Sequence, residues 1–187
     1  MTNHEWSLIV SFVAMVLIAS SYFHKKKSLY LLFQSIGIVF LMASYLFDGS
    51  YFAMIGLVVG LTRVLVYYYY EKRDKTAPLF WPFIFTGLTI VVYLIVNVGI
   101  LHSVKFEDIV YLTALAFYAF TFRIRDLETM RYMVTIPTAL SVLYNVLIGA
   151  TVFVIISYVF ELGANIVSIL KYHVFGKDKK SHSEQSR

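Results

Sequence analysis

Apolar residues gather along the chain into seven runs, at 6–23, 29–47, 51–70, 79–101, 109–122, 133–148 and 151–170, separated by short charged or glycine-containing breaks. A helix rises ~1.5 Å per residue, so about 20 residues cross the ~30 Å hydrocarbon layer of a bilayer. Runs near that length predict seven transmembrane helices, with 109–122 and 133–148 the shortest. Seven spans of roughly 20 residues use about 140 residues, which leaves short loops and no room for a soluble domain. The expected organisation is one all-α transmembrane domain over 1–176 and a charged, disordered cytoplasmic tail over 177–187.

Composition points the same way. Of 187 residues 59% are hydrophobic and 14% charged, and the mean hydropathy is +0.74. A soluble domain carries ~25% charged residues, so the surface of a water-soluble fold could not be clothed. The chain has no cysteine, which removes disulfides, thiolate nucleophiles and Cys-ligated metals. The net charge of +5 is accounted for by topology. Fourteen of the 16 Lys and Arg residues fall in alternate breaks or the tail, with Lys105 alone on the other side and Arg63 inside a span. Basic residues near span ends stay cytoplasmic, so the N-terminus is expected outside and the C-terminus inside. Nucleic-acid binding is not required by the charge, and the expected partners are membrane lipids and a small polar solute. The first run lacks a basic flank before it and is followed by Lys25, Lys26 and Lys27, as a retained span is and a cleaved leader is not.

The spans suggest a duplication. A shift of 102 residues lays Arg63-Val64-Leu65-Val66 over Asn165-Ile166-Val167-Ser168, Tyr70 over Tyr172 and Lys75 over Lys177. Two triplets, 6–70 and 109–170, then flank the linker helix 79–101, which inverts the chain so that both triplets share one orientation. The expected architecture is two parallel three-helix bundles joined by a central helix, an arrangement that in transporters places the site near the midplane. The alternative is that apolar helices ending in Tyr and Lys resemble one another.

Thr129-Met130-Arg131, Asn145 through Gly149-Ala150, Gly163-Ala164-Asn165-Ile166 and Arg63 together resemble the YgjV-type family of bacterial inner-membrane proteins over nearly the whole chain. The resemblance implies a bacterial inner (cytoplasmic) membrane location and a three-plus-one-plus-three plan similar to SWEET and PnuC transporters. It implies no substrate: the chain has no Pro-Gln pair, and Trp6 and Trp81 are its only tryptophans, so the Trp-rich PnuC site is not carried over.

Charged groups at bilayer depth cost ~2.5–3.5 kcal/mol on insertion scales and therefore need a reason. Glu161 sits ten residues from Thr151 and ten from Lys171, about 15 Å from each, near the midplane. Arg63 lies roughly 12 Å from the cytoplasmic end, within partial snorkelling range. Matching depth and opposite charge suggest an Arg63–Glu161 ion pair; a neutral, protonated Glu161 is the alternative. Asn165, one turn beyond Glu161, shares its face, and Asn97 and Asn145 are weaker candidates for lining a substrate site. Gln34, Tyr144, Tyr93 and Tyr118 add polar and aromatic groups, although such groups also serve as interhelical glue. Pro137 and Gly37, in corresponding middle helices, are candidate hinges or plain packing features. Tyr67 to Tyr70 read as an interfacial aromatic belt.

No catalytic constellation is visible. The five histidines lie in loops or tails without metal-site spacing, and no nucleophile elbow or phosphate loop occurs. No metal, cofactor or enzymatic activity is expected. The expected function is movement of a small polar, sugar-, nucleoside- or vitamin-like solute, and the alternative is a non-transporting membrane scaffold or envelope assembly factor.

Overall fold

A computed structural model of the chain describes residues 3–47, 51–100, 102, 105–150 and 152–171; the expected tail at 177–187 and the break at 48–50 lie outside them. The described residues form seven helices and no strand: α1 (Asn3–Ser21), α2 (Lys27–Phe47), α3 (Tyr51–Lys72), α4 (Phe80–Tyr93), α5 (Phe106–Thr121), α6 (Leu127–Leu147) and α7 (Val152–Ile169). α4 runs on as a π-helical stretch over Leu94–Ile100.

The helix ends are written in the local sequence. α6 starts six residues before the apolar run 133–148 because Asp126 caps it, its carboxylate accepting from the Thr129 N–H at 2.7 Å. That start brings Arg131 inside the helix, where the run had left it in a loop. At the other end Gly149 adopts φ +64°, and the Ala150 and Gly149 N–H groups donate to the Asn145 and Val146 carbonyls at 2.9 and 3.2 Å. This crossed pair satisfies carbonyls that a terminating helix leaves open. α3 ends in the same way with Asp74 at φ +53°. At the start of α5, Asp108 reaches back to accept from the Lys105 N–H at 3.1 Å.

Each helix packs on the next in sequence, and α7 packs on α1, so the chain closes into a ring. Contacts between partners fix the directions. Ser7 meets Ser44 and Gln34 meets Ser21, so α1 and α2 are antiparallel; Tyr118 meets Thr138 and Tyr111 stacks on Tyr144, so α5 and α6 are too. α3 also touches α5 directly, through Arg63 on the Leu115 carbonyl and Tyr67 on the Ala119 carbonyl. Both numbers rise together, so that seam is parallel. α4 lies outside it: 22% of the span Phe80–Ile100 is buried, against 50% for Lys27–Phe47.

Beside an apolar core, large apolar side chains cover the outside and many polar ones lie inside. Phe12, Val39, Phe83, Ile95, Ile136 and Val159 are exposed, while Ser11, Gln34, Ser44, Arg63, Glu161 and Asn165 are buried. A continuous apolar exterior of this kind suits lipid and not water. Among the described residues two helical spans are long and apolar enough to cross a membrane by their own composition, Lys27–Phe47 with mean hydropathy 1.9 and Phe80–Ile100 with 2.3; Glu5–Ser21 and Val154–Ile169 are shorter apolar stretches. The fold is that of an all-helical protein consistent with a membrane environment.

Candidate functional site

The interior polar groups divide into those that tie helices together and those that face a space. Tyr22 stands one residue past the end of α1, and its carbonyl, freed from the helix ladder, accepts from Arg131 Nη2 at 2.8 Å and from Ser168 Oγ at 2.6 Å. Arg131 Nη2 also donates to the His24 carbonyl at 2.6 Å. One end of α1 is thereby fastened to α6 and α7. Nearby, Lys27 and Glu71 form an ion pair at 3.3 Å between α2 and α3, and Arg125 pairs with Asp74.

Higher in the ring lies a cavity of about 50 Å³ between α1, α2, α3, α5, α6 and α7, with Arg63, Glu161, Gln34, Ser141, Tyr118 and Tyr158 among its walls. Glu161 is buried on α7, and its Oε1 accepts from the Tyr22 hydroxyl at 2.7 Å. Arg63 is buried on α3. Its Nη1 donates to the Leu115 carbonyl at 2.9 Å, and its guanidinium sits 5.4 Å from the ring centres of both Tyr118 and Phe122. Its Nε is buried without a hydrogen-bond partner. Room for water needs ~10–15 Å³ of such volume per molecule, so the cavity admits a few waters and is polar enough to hold them.

The expected Arg63–Glu161 ion pair is corrected. Lys27 pairs with Glu71 and Arg125 with Asp74, whereas Arg63 and Glu161 line the same cavity without forming an ion pair across it. Depth matched, but lateral position decides: α3 abuts α5, and α7 abuts α1, so each charge finds its partner on the helix beside it. Asn165 is fully buried and turned to α6, donating to the Arg131 carbonyl at 2.9 Å and to Thr135 Oγ1 at 3.0 Å. Asn145 donates to the Ser141 carbonyl within its own helix at 2.7 Å. Asn97 is buried in the π-helical stretch. None of the three is among the cavity's lining residues, and the Oδ1 of each is buried without a partner.

Tyr22, Tyr111, Tyr158 and Ser141 are site residues that sequence reasoning did not select. Tyr22 sits beside three lysines and reads as an interface residue; no local pattern ties it to a carboxylate 139 positions away. Gly37, a candidate hinge, instead marks a close helix crossing: a methyl built on it would stand 2.5 Å from Ile18 Cγ1.

A family model described as Imp-YgjV, bacterial inner membrane protein, matches residues 5–174, and the chain belongs to that family. No curated protein and no solved structure matches the chain.

Proposed function

From that inner-membrane membership we propose that the protein carries a small polar solute across the membrane, with the cavity between Arg63 and Glu161 as its site. The observation that carries this reading is a buried guanidinium and a buried carboxyl group facing one cavity without pairing with each other. Charges retained at such cost inside a membrane domain are ordinarily functional. The reading makes the protein a carrier and not an enzyme, with lipids around it and no cofactor or nucleic acid involved.

In this proposal all seven helices cross the membrane, with the N-terminus outside. The helices form two parallel triplets, α1 to α3 and α5 to α7, with α4 as the outer connector. Two seams support the symmetry. α3 donates through Arg63 and Tyr67 to carbonyls of α5, and α7 donates through Ser168 to the carbonyl of Tyr22 at the end of α1. Exchanging the triplets exchanges the seams. The ties between triplets are concentrated at the basic end: Tyr67 to Ala119, Arg123 to the Ala77 carbonyl, Arg125 to Asp74, Arg131 to Tyr22. That end is latched in this form, and access to the cavity would alternate by rocking of the triplets.

The test is thermal stability of the purified protein against sugars, nucleosides, vitamins and amino acids, beside Glu161→Gln. A ligand at ~100 times its Kd adds ~2.7 kcal/mol, and the expected result is one stabilising class whose effect is lost in the variant. Failure of every class to stabilise the protein, together with no uptake into proteoliposomes, overturns the carrier reading. A scaffold reading rests on Asn165, Ser168, Tyr67 and Arg131, all spent on helix ties, and that outcome would favour it. Orientation is tested with single cysteines in this cysteine-free chain: external label is expected at position 105 and protection at 179, and the reverse overturns it.

A further inference from the structure

Resting on the cavity as the solute site, we propose that the solute is a small zwitterion, its carboxylate on the Arg63 guanidinium and its ammonium on the Glu161 carboxylate. A guanidinium offers five N–H donors and an ionised carboxylate about four acceptor sites. Leu115 O takes one donation from Arg63, whose Nε has none to give it to; the flanking rings of Tyr118 and Phe122 attract the charge without using a donor. Tyr22 fills one site on Glu161 and Gln34 adds a second side-chain donor beside it, which leaves acceptor capacity on the carboxylate.

The two charges stand on opposite seams of the ring, no closer than the 4.0 Å of an ion pair, with the cavity between them. Opposed charges in a low-dielectric space attract strongly, and a solute that bears the complementary pair completes both at once. A neutral polyol would leave both charges uncompensated. A plain anion would face Glu161, and a plain cation would face Arg63. The remaining polar groups, Gln34, Ser141 and the hydroxyls of Tyr111, Tyr118 and Tyr158, are neutral, while Ile38, Leu41 and Leu57 close the walls.

Volume bounds the size. A cavity of 150 Å³ takes benzene, so about 50 Å³ admits only the smallest solutes of this class once the walls give slightly. There is room to give: a second void of about 10 Å³, lined by Ala14, Met15 and Ser157, adjoins across Ile18 and Glu161 at the α1–α7 seam. The expected match is an unbranched amino acid with two or three carbons.

The experiment measures binding to the full-length protein, and counterflow in proteoliposomes, with glycine, β-alanine, acetate, methylammonium and glycerol. Glycine or β-alanine is expected to bind at least tenfold more tightly than acetate, methylammonium or glycerol. Arg63→Gln should reduce the zwitterion to the level of methylammonium, and Glu161→Gln to the level of acetate. If either variant fails to fold, the selectivity of the unaltered protein decides. Tighter binding of glycerol or a sugar than of any zwitterion would overturn the zwitterion while leaving a carrier; equal binding of acetate and glycine would do the same. Binding by none of the probes, and by none of the wider panel, would remove both proposals.

Discussion

Substituting Gly37 by alanine separates two readings of one residue. If Gly37 is a hinge, alanine stiffens α2 and stabilises it, since glycine inside a helix costs roughly 0.5–1 kcal/mol relative to alanine. The structure gives the opposite sign. The new methyl would stand 2.5 Å from Ile18 Cγ1 and 3.3 Å from the Ile18 backbone nitrogen, where carbon atoms prefer about 3.5–4.0 Å. Ile18 is β-branched and held to one rotamer in its helix, so Cγ1 cannot swing aside. Overpacking of this kind costs ~1–3 kcal/mol; after the helix gain, a net loss of about 1–2 kcal/mol is expected. At ~2–4 °C per kcal/mol for a chain of this length, Tm should fall by roughly 2–8 °C. The assay is thermal unfolding in detergent, with Gly87→Ala as control: nothing lies within 4 Å of its added methyl, so that variant should gain up to ~1 kcal/mol. In an Ile18→Ala background Gly37→Ala should cost much less, because the atom at 2.5 Å is gone and only the backbone nitrogen at 3.3 Å remains close, a coupling of about 1 kcal/mol. A rise in Tm for Gly37→Ala, equal to that of Gly87→Ala, refutes the close crossing and restores the hinge.

Gly149→Ala should lose ~1–2 kcal/mol even though open space surrounds the new methyl, because φ +64° is costly for any residue with a Cβ; thermal unfolding checks it. Asp126→Ala should lose ~0.5–2 kcal/mol with the α6 cap. Hydrogen bonds from the Thr129 side chain and amide hold the Asp126 carboxyl below its ordinary 3.8. Its contribution is therefore complete above pH 3.8 and is lost as pH falls through the lower folded value, so the gap in Tm between the parent and Asp126→Ala should narrow only in that acid window. Glu71→Gln leaves a buried Lys27 ammonium beside a neutral amide and should cost ~1–3 kcal/mol, discounted for the partial exposure of Glu71. The double change Lys27→Met with Glu71→Met should cost less than the single one, as denaturant unfolding would show.

The helices were legible because apolar runs of about 14–23 residues stand out between charged and glycine-containing breaks. Their ends were less so. The apolar run begins at 133, yet the cap at Asp126 and the Thr129 N–H that it accepts start α6 two turns earlier. A search for apolar runs is blind to a capped polar turn. The Tyr67 to Tyr70 cluster shows a related limit. Four consecutive residues on a helix point in four directions about 100° apart, so they cannot all sit on the lipid side. Tyr69 is 49% exposed, as a belt residue should be, whereas Tyr67 is buried and donates to the Ala119 carbonyl at 2.7 Å.

Which polar residues are interior was readable; which of them meet was not. Sequence gives depth along a helix axis but not the neighbour at that depth, and the order of helices around the ring decides it. Arg63 and Glu161 could be placed near one level, and both do line the cavity. Their partners, the Leu115 carbonyl and the Tyr22 hydroxyl, follow from which helices abut. Asn165 shares the Glu161 helix one turn away, but the step of 40° left over after four residues is enough to turn it to α6.

Arg131 and Arg63 make the distinction testable. Both are buried arginines, and both would cost several kcal/mol unpartnered. Arg131 reaches the carbonyls of Tyr22 and His24 at the open end of α1, where a cation completes acceptors that the helix cannot satisfy itself. Its task is finished without a ligand. Arg63 reaches one carbonyl and lines the cavity, which Arg131 does not, so part of its hydrogen-bonding capacity faces a space that something can enter. Arg131→Gln is therefore expected to lower Tm and leave the relative affinities for glycine, acetate and methylammonium unchanged. Arg63→Gln is expected to change those relative affinities, with a smaller loss of Tm because fewer protein partners are abandoned. Measuring Tm and the three affinities on both variants decides between them. If Arg131→Gln shifts selectivity while Arg63→Gln shifts only stability, the assignment of tie and site is inverted.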